Sequence, residues 1–336
     1  MKRILNKLIY SSEVAAVAAA QWIGRNDSIA ADQAAVQTMR NAFNNIDFSA
    51  KIVIGEGERD KAPMLHIGEI VGKNEKIKYD IAVDPLECTT RCAENNGESM
   101  TAIVIADSGM LLPAPDIYMQ KIVCKYDVVH LNDTIQNNLE KLSRVKGVRV
   151  SDLVVSILKR NRHTDIIQEV INSGAKLKLI DDGDISAAIM ACTGEIDLYL
   201  GIGGAPEGVI AAAAVHMLNG HMQGKLIFDN ESQKQRANDM INDTYFHDSC
   251  MQANYSCFID YDVNKIYSAN EMVNMREVQG NIAFIITGIT NGQLLKGVRE
   301  SENFIETETL CLYKNNSGKI VQKRIITKSE KEYFGL

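Results

Sequence analysis

The chain has 336 residues, 46% apolar and 24% charged, the balance of a soluble globular protein long enough for a large core or two fused lobes. A net charge of -7 argues against a nucleic-acid surface or a polybasic membrane patch, so an anionic substrate would need local cations against the global sign. Seven scattered cysteines, odd in number and without a CxxC pair, argue against a disulfide framework or zinc ribbon and fit reduced cytoplasmic thiols.

The N-terminal "MKRILNKLIYSSEVAAVAAAQWIG" reads as an amphipathic helix, because Asn6, Lys7, Ser11, Ser12 and Glu13 interrupt the apolar run a signal peptide needs. No run of about 18 apolar residues occurs, so no membrane span is expected. Helix continues to Phe43, broken at "GRND". "KIVIG" (51–55), "YDIAVD" (79–84) and "TAIVIAD" (101–107) are apolar, β-branched strands. "SDLVVSILK" (151–159) fits strand or helix, and "RHTDIIQEVINSG" is a helix closed by Gly174. "KLKLI" (176–180) is a strand, "DGDISAAIMACTG" a turn into a helix, and "IDLYLGIGG" (196–204) a strand entering a glycine turn. "APEGVIAAAAVHMLNG" is a helix ended by Gly220, and "NIAFIITG", "TLCLY" and "KIVQKRIIT" are late strands. The segment 229–278 is polar and poorly patterned. The alternation predicts mixed α/β layers. The polar stretch "NDTIQNNLEKLSRVKG" suggests a boundary between an N-terminal lobe, 1–145, and a C-terminal lobe, 146–336.

Acidic residues gather at strand ends and helix starts: Asp32 in "AADQAAV", Glu56, Glu58 and Asp60 in "IGEGERD", Asp84 and Glu87 in "DPLECTT", Glu207 in "GGAPEGV". Each alone reads equally as a solvated turn residue. Asp84 and Glu87 are harder to dismiss, since apolar "IAV" precedes them and Pro85 stiffens the turn. Close carboxylates repel, burial raises their pKa values, and a divalent cation relieves both. Oxygen-only ligands favour Mg2+ or Mn2+, which neutralise phosphate oxygens and activate water. In "GIGGAPEGV" the glycines allow close backbone approach, Pro206 suits a first helical turn, and helix-start amides favour an anion. A plain strand-to-helix turn would look similar. "DGD" (182–184) fits sugar hydroxyls or a helix cap. Arg162 and His163, in "KRNRH", fit a phosphate clamp or a solvated basic turn; His163 fits a general acid or a structural histidine. Tyr118 fits a ligand contact or core packing.

Together, "WIGRND" with "AADQAAV", "IVIGEGE" with "APML", "DIAVDPLE", "APDIYM", "DGDISAAI", "GIGGAPEGV", and "TGIT" with "TETL" resemble the class II fructose-1,6-bisphosphatases. These form the GlpX-type branch of the lithium-sensitive phosphatase superfamily. The match runs from about Ala15 to Thr309. The resemblance implies an α/β fold, a layered α/β/α/β/α sandwich of two closely packed lobes. It implies a Mn2+- or Mg2+-dependent hydrolase that removes the 1-phosphate of fructose 1,6-bisphosphate in gluconeogenesis, with sedoheptulose 1,7-bisphosphate as the nearest further substrate. By motif position Asp32, Glu56, Asp84, Glu87 and Glu207 would be metal ligands, and Thr89, with Asp60 nearby, would orient the attacking water. Glu87, Cys88, Thr89, Tyr118, Asn161, Arg162, His163, Asp182, Gly183, Asp184 and Gly204 would line the sugar-phosphate site. The expected partners are the sugar bisphosphate and further copies of the chain, with no nucleic acid and no membrane. Three positions depart from the family pattern: Cys88 replaces a glycine, Ser28 a lysine, and "RCAENNGESMTA" a small, glycine-rich stretch. The competing reading of those departures is a catalytically weak paralogue that binds a sugar phosphate for regulation or assembly.

Overall fold

The alanine-rich N-terminal segment folds as α1 (Lys2–Ala20) and α2 (Ser28–Phe43), the latter started by the Asp27 carboxylate accepting the Ala30 N–H at 2.9 Å. The computed structural model describes residues 1–56, 64–74, 76–242, 265–273, 280–302, 304–314 and 324–327. After the two helices come β1 (Ala50–Ile54), β2 (Ile70–Val71), β3 (Tyr79–Glu87), α3 (Thr89–Glu94) and β4 (Met100–Asp107). Next are β5 (Tyr118–Cys124), α4 (Ile135–Lys146), β6 (Val154–Leu158), α5 (Thr164–Ser173), β7 (Lys176–Ile180) and α6 (Asp184–Thr193). They are followed by β8 (Leu198–Gly204), α7 (Ala205–Met217), β9 (His221–Ile227), α8 (Glu231–Asn242), β10 (Ile266–Ser268) and α9 (Ala269–Met272). The last strands are β11 (Ile282–Gly288), β12 (Arg299–Glu300), β13 (Phe304–Thr307), β14 (Thr309–Lys314) and β15 (Arg324–Thr327).

These elements form two units, Met1–Leu111 with Gln279–Leu336, and Leu112–Val278. The first unit holds a six-stranded sheet in the order β14-β11-β4-β3-β1-β2 and a three-stranded sheet β12-β13-β15. Leu5, Leu8, Ala15 and Ala19 of α1 and Ala31, Ala35, Met39 and Phe43 of α2 repeat at helical spacing. They bury against Ile52, Ile81, Val83, Ile103 and Ile105 of the larger sheet. A row of hydroxyls fixes that face. Thr287 pairs with Thr101 on β4 and Thr309 on β14, and Ser12 of α1 reaches Thr101 at 2.5 Å and Thr287 at 2.7 Å. The "TGIT" and "TETL" motifs supply two members of this row.

The second unit holds a six-stranded mixed sheet, β10-β9-β5-β8-β6-β7. Leu139 and Leu142 of α4 and Val170 of α5 pack with Ile122, Val155, Ile157, Leu198 and Leu200. Their alternation along the strands assigns them one face of the sheet, while α6 and α7 pack against β5, β8 and β9.

The division departs from the expected boundary at 145/146, because the first unit is discontinuous: β11 and β14 return to pair beside β4. The polar stretch that suggested the boundary is α4, capped by Thr134 and closed by Gly147 in a left-handed conformation. Its Asn138 is buried, with its side chain bonded to the backbone N–H and C=O of His130. The ambiguous stretch 151–159 is a strand preceded by one 3-10 turn, Val150–Asp152. Of the polar segment 229–278, α8, β10 and α9 are described and most of the remainder lies outside the described residues.

One buried acid makes the first unit's stability depend on pH. Asp80 on β3 is buried and accepts from Ser108 Oγ at 3.3 Å and from the Gly109 N–H at 2.6 Å. Burial pushes its pKa from 3.8 to about 7, against these hydrogen bonds and Lys51, which pull it down. The fold therefore favours the protonated carboxyl, and that stabilisation is lost as pH rises through about 7. Asp80→Asn is expected to flatten the dependence of the unfolding midpoint between about pH 4 and 7 and to raise the midpoint at about pH 8. Urea melts across that range check it; an unaltered slope would refute it.

Candidate active site

The acidic end of β3 owes its shape to a bulge. Asp84 pairs with Ala102 and Glu87 with Met100, so three steps on β3 face two on β4. Residues three apart on a regular strand point to opposite faces; the extra residue puts Asp84 and Glu87 on the same side. Pro85 sits in the bulge, where its missing N–H leaves no ladder bond unmade. Asp84 Oδ1 accepts the Leu86 N–H at 3.1 Å, which ties the carboxylate to the bend. Glu87 is buried and Asp84 half-buried.

Two further acids converge on Asp84. Glu56 follows β1, its N–H donating to Leu65 O at 3.0 Å. Asp32 lies on α2, whose preceding turn, "WIGRND", is fastened to α3: Gly24 and Asn26 donate to the carbonyls of Cys92 and Ala93 at 3.2 and 2.8 Å. Burial and then the Asp84 charge raise the Asp32 pKa to about 6. Burial, Asp32 and Asp84, in that order, raise Glu56 to about 8. Three carboxyls that hinder one another's ionisation, all with oxygen donors, suit a hard divalent cation. Among the described residues no three histidine, cysteine, aspartate or glutamate side chains close tightly enough around one point to cage an ion. Asp60 lies outside the described residues.

Cys88 links β3 to α3 at φ +64 and ψ +50, a left-handed conformation that glycine adopts freely and a β-carbon resists. Its carbonyl accepts the Cys92 N–H and the Ser99 hydroxyl, both at 3.1 Å, and the Ser99 N–H donates to Thr290 Oγ1 at 2.8 Å. Thr89, half-buried, is the first residue of α3, and Ser28 the first of α2.

In the second unit Tyr118, Arg162, His163 and Asp184 gather around β8, which ends in Gly204. Tyr118 pairs with Gly204, and the Arg162 guanidinium lies 4.7 Å from the Tyr118 ring centroid. Arg162 Nε donates to Ile202 O at 2.9 Å. His163 sits at the same residue: the Ile202 N–H donates to Nε2 at 2.8 Å, so the ring proton is on Nδ1, which donates to Leu158 O at 2.7 Å. Completely buried and with both nitrogens engaged, His163 departs from the phosphate-clamp and general-acid expectations and acts here as a fastener of β8. Asn161 is exposed, its carbonyl accepting the Thr164 hydroxyl at 2.8 Å. Asp182 Oδ1 accepts the Gly183 N–H at 3.1 Å, and Gly183, at φ +101, turns the chain into α6. Asp184 is buried against the Lys121 ammonium rather than turned to solvent. Glu207, in the first turn of α7, folds back over Gly204, where a β-carbon would lie 1.9 Å from its Oε2.

Sequence reasoning passed over Lys121, Ser99 and Thr290. Lys121 carried a signal, a lysine running directly into the apolar "IVC" of the strand "YMQKIVC". Ser99 carried none, since its partner is remote in sequence, and Thr290 stood out only as part of "TGIT", without a role of its own.

The bacterial fructose-1,6-bisphosphatase, glpX-encoded, family model matches residues 2–326, and the chain belongs to this family. It is 41% identical over 327 residues to D-fructose 1,6-bisphosphatase class 2/sedoheptulose 1,7-bisphosphatase of Synechococcus sp. (strain JA-3-3Ab), covering 91% of this chain and 90% of the relative. It is 39% identical over 307 residues to fructose-1,6-bisphosphatase class 2 of Haemophilus influenzae, covering 90% and 89%. The family is one of metal-dependent phosphatases that act on phosphoric monoesters. No described helix is long and apolar enough to cross a membrane.

The left-handed Cys88 generates a stability prediction. Cys88→Gly is expected to relieve strain and raise stability by about 1 kcal/mol, despite glycine's extra freedom in the unfolded chain. Thermal unfolding measures it; a destabilised variant would show that the side chain's packing outweighs the backbone strain.

Proposed function

We propose that the chain hydrolyses the 1-phosphate of fructose 1,6-bisphosphate to give fructose 6-phosphate, with Mn2+ or Mg2+ bound, and acts on sedoheptulose 1,7-bisphosphate as well. The observation that carries this reading is the β3 bulge, which turns Asp84 and Glu87 to one side while Asp32 and Glu56 sense the Asp84 charge. In this reading Asp32, Glu56, Asp84, Glu87 and Glu207 hold the cations. When bound, these supply positive charge for the phosphate oxygens and lower the pKa of water. Thr89 and Asp60 orient the attacking water. Tyr118 and Arg162, already stacked, bind the uncleaved phosphate and sugar beside Asn161, Asp182, Gly183 and Gly204, and binding energy from that remote phosphate positions the reacting one. Buried thiols at Cys92, Cys124, Cys192 and Cys311 support a cytoplasmic setting, and a homo-oligomer is the proposed assembly. Named bisphosphatases aligned over 91% and 90% of the chain favour this reading over a non-catalytic paralogue.

Phosphate release from fructose 1,6-bisphosphate is expected to vanish on exhaustive chelation and to return with Mn2+ or Mg2+; full activity in chelator would defeat the proposal. Glu87→Ala is expected to abolish turnover at saturating cation. The departures at Cys88 and Ser28 are expected to slow the enzyme, since a displacement of about 1 Å in such a site costs about a hundredfold in rate. Cys88→Gly combined with Ser28→Lys should therefore raise kcat with Mn2+. An unchanged kcat would mean that the site accommodates both side chains.

A further inference from the structure

Lys121 stands in the middle of β5 and is 1% exposed. Its ammonium donates to Asp184 Oδ2 and, at 2.8 Å, to the Gly204 carbonyl. Asp184 is the first residue of α6, directly after the left-handed Gly183. Gly204 directly precedes α7, which carries Glu207 in its first turn. One buried cation thus fastens together the "DGD" turn and the "GIGGAPEG" turn.

That pair also accounts for Gly203, one of the glycines of "GIGGAPEGV" read as allowing close approach to a ligand. A β-carbon on Gly203 would lie 2.0 Å from Asp184 Oδ2 and 3.0 Å from Lys121 Nζ. A β-carbon on Gly208 would lie 2.6 Å from Met119 Sδ and 3.5 Å from Lys121 Cδ. Gly203 is bare because the Asp184 carboxylate and the lysine ammonium fill that space, and Gly208 because the Met119 sulfur does. A buried ion pair gives little net stability over an apolar pair of the same volume, since desolvation offsets the attraction. What it gives is direction: the carboxylate and the carbonyl are held at set positions around one nitrogen.

We propose that Lys121 is a positioning residue for the sugar-phosphate site, setting the Asp182–Asp184 turn against the Gly204–Glu207 turn. Asp184 is held in its turn by the bond to Lys121. This rests on the assignment of those two turns to the substrate site. The test compares Lys121→Met and Gly203→Ala with the full wild-type chain. The second variant drives a methyl into the pair without changing any charge, and it carries the test if Lys121→Met fails to fold. Hydrogen exchange read by mass spectrometry is expected to quicken by about tenfold or more in peptides covering 182–187 and 204–208, with β6, β7 and β9 unchanged. The KM for fructose 1,6-bisphosphate is expected to rise by about tenfold, with kcat within about threefold of wild type. Unchanged exchange at both turns, quickening spread evenly over the sheet, or an unmoved KM would overturn the proposal. A wild-type chain that leaves the bisphosphate intact would defeat the enzymatic reading instead, and the exchange measurement would still decide the role of Lys121.

Discussion

Asp32, Glu56 and Asp84 repel one another, and the first unit is organised around holding them near each other. Two unit charges about 4 Å apart cost about 4 kcal/mol at an effective dielectric of about 20. A flexible loop would relax that cost by moving apart. Here each acid hangs from an element anchored elsewhere: Asp32 from α2, packed into the hydrophobic cluster, and Asp84 from a strand in the interior of the sheet. The scaffold leaves protonation or a bound cation as the routes of relief. The raised pKa values of Asp32 and Glu56 express the first route, and the metal dependence of the family the second.

The second unit solves the opposite problem. Its turns around β8 are kept in register by groups that water does not reach. Both ring nitrogens of His163 and the ammonium of Lys121 are engaged with backbone carbonyls, a backbone N–H or a buried carboxylate. Arg162 and Tyr118 remain exposed and stacked on each other, with Arg162 Nε donating to Ile202 O. The Arg162 charge is thus left exposed, while the Lys121 charge is buried and paired.

Much of this was legible in the sequence. The strands "YDIAVD", "TAIVIAD" and "NIAFIITG" appear as β3, β4 and β11, because continuous β-branched runs leave a buried strand few alternatives. The carboxylate set was legible because acids beside apolar strand ends are unusual. Hidden from it was everything that depends on remote pairing. The division into units turned on where β11 and β14 would pair, a choice that periodicity does not encode. That Asp84 and Glu87 share a side depends on a bulge defined only by its partner strand. A histidine beside arginine reads as a clamp until its ring is seen to hold Ile202. The polar stretch around Glu140 read as a lobe boundary because α4 buries only a narrow stripe, Asn138, Leu139 and Leu142.

Cys88 joins the two themes of strain and fastening. A left-handed non-glycine residue persists where its surroundings over-determine it, and such residues concentrate at functional sites. At Cys88 the backbone is held from both directions: Glu87 ends a paired strand, and the carbonyl of Cys88 accepts from both Cys92 and Ser99. Ser99 is in turn fixed by Thr290, from the "TGIT" motif on the returning segment. The turn that follows Asp84 and Glu87 is therefore shaped in part by Thr290, from a remote segment of the chain. With glycine at this position the conformation would be inexpensive and the fastening less needed. With cysteine the same hydrogen bonds must oppose a steric preference of roughly 1–2 kcal/mol. Ser99 and Thr290 thus keep the bend that places Thr89 at the head of α3, next to the carboxylates of β3.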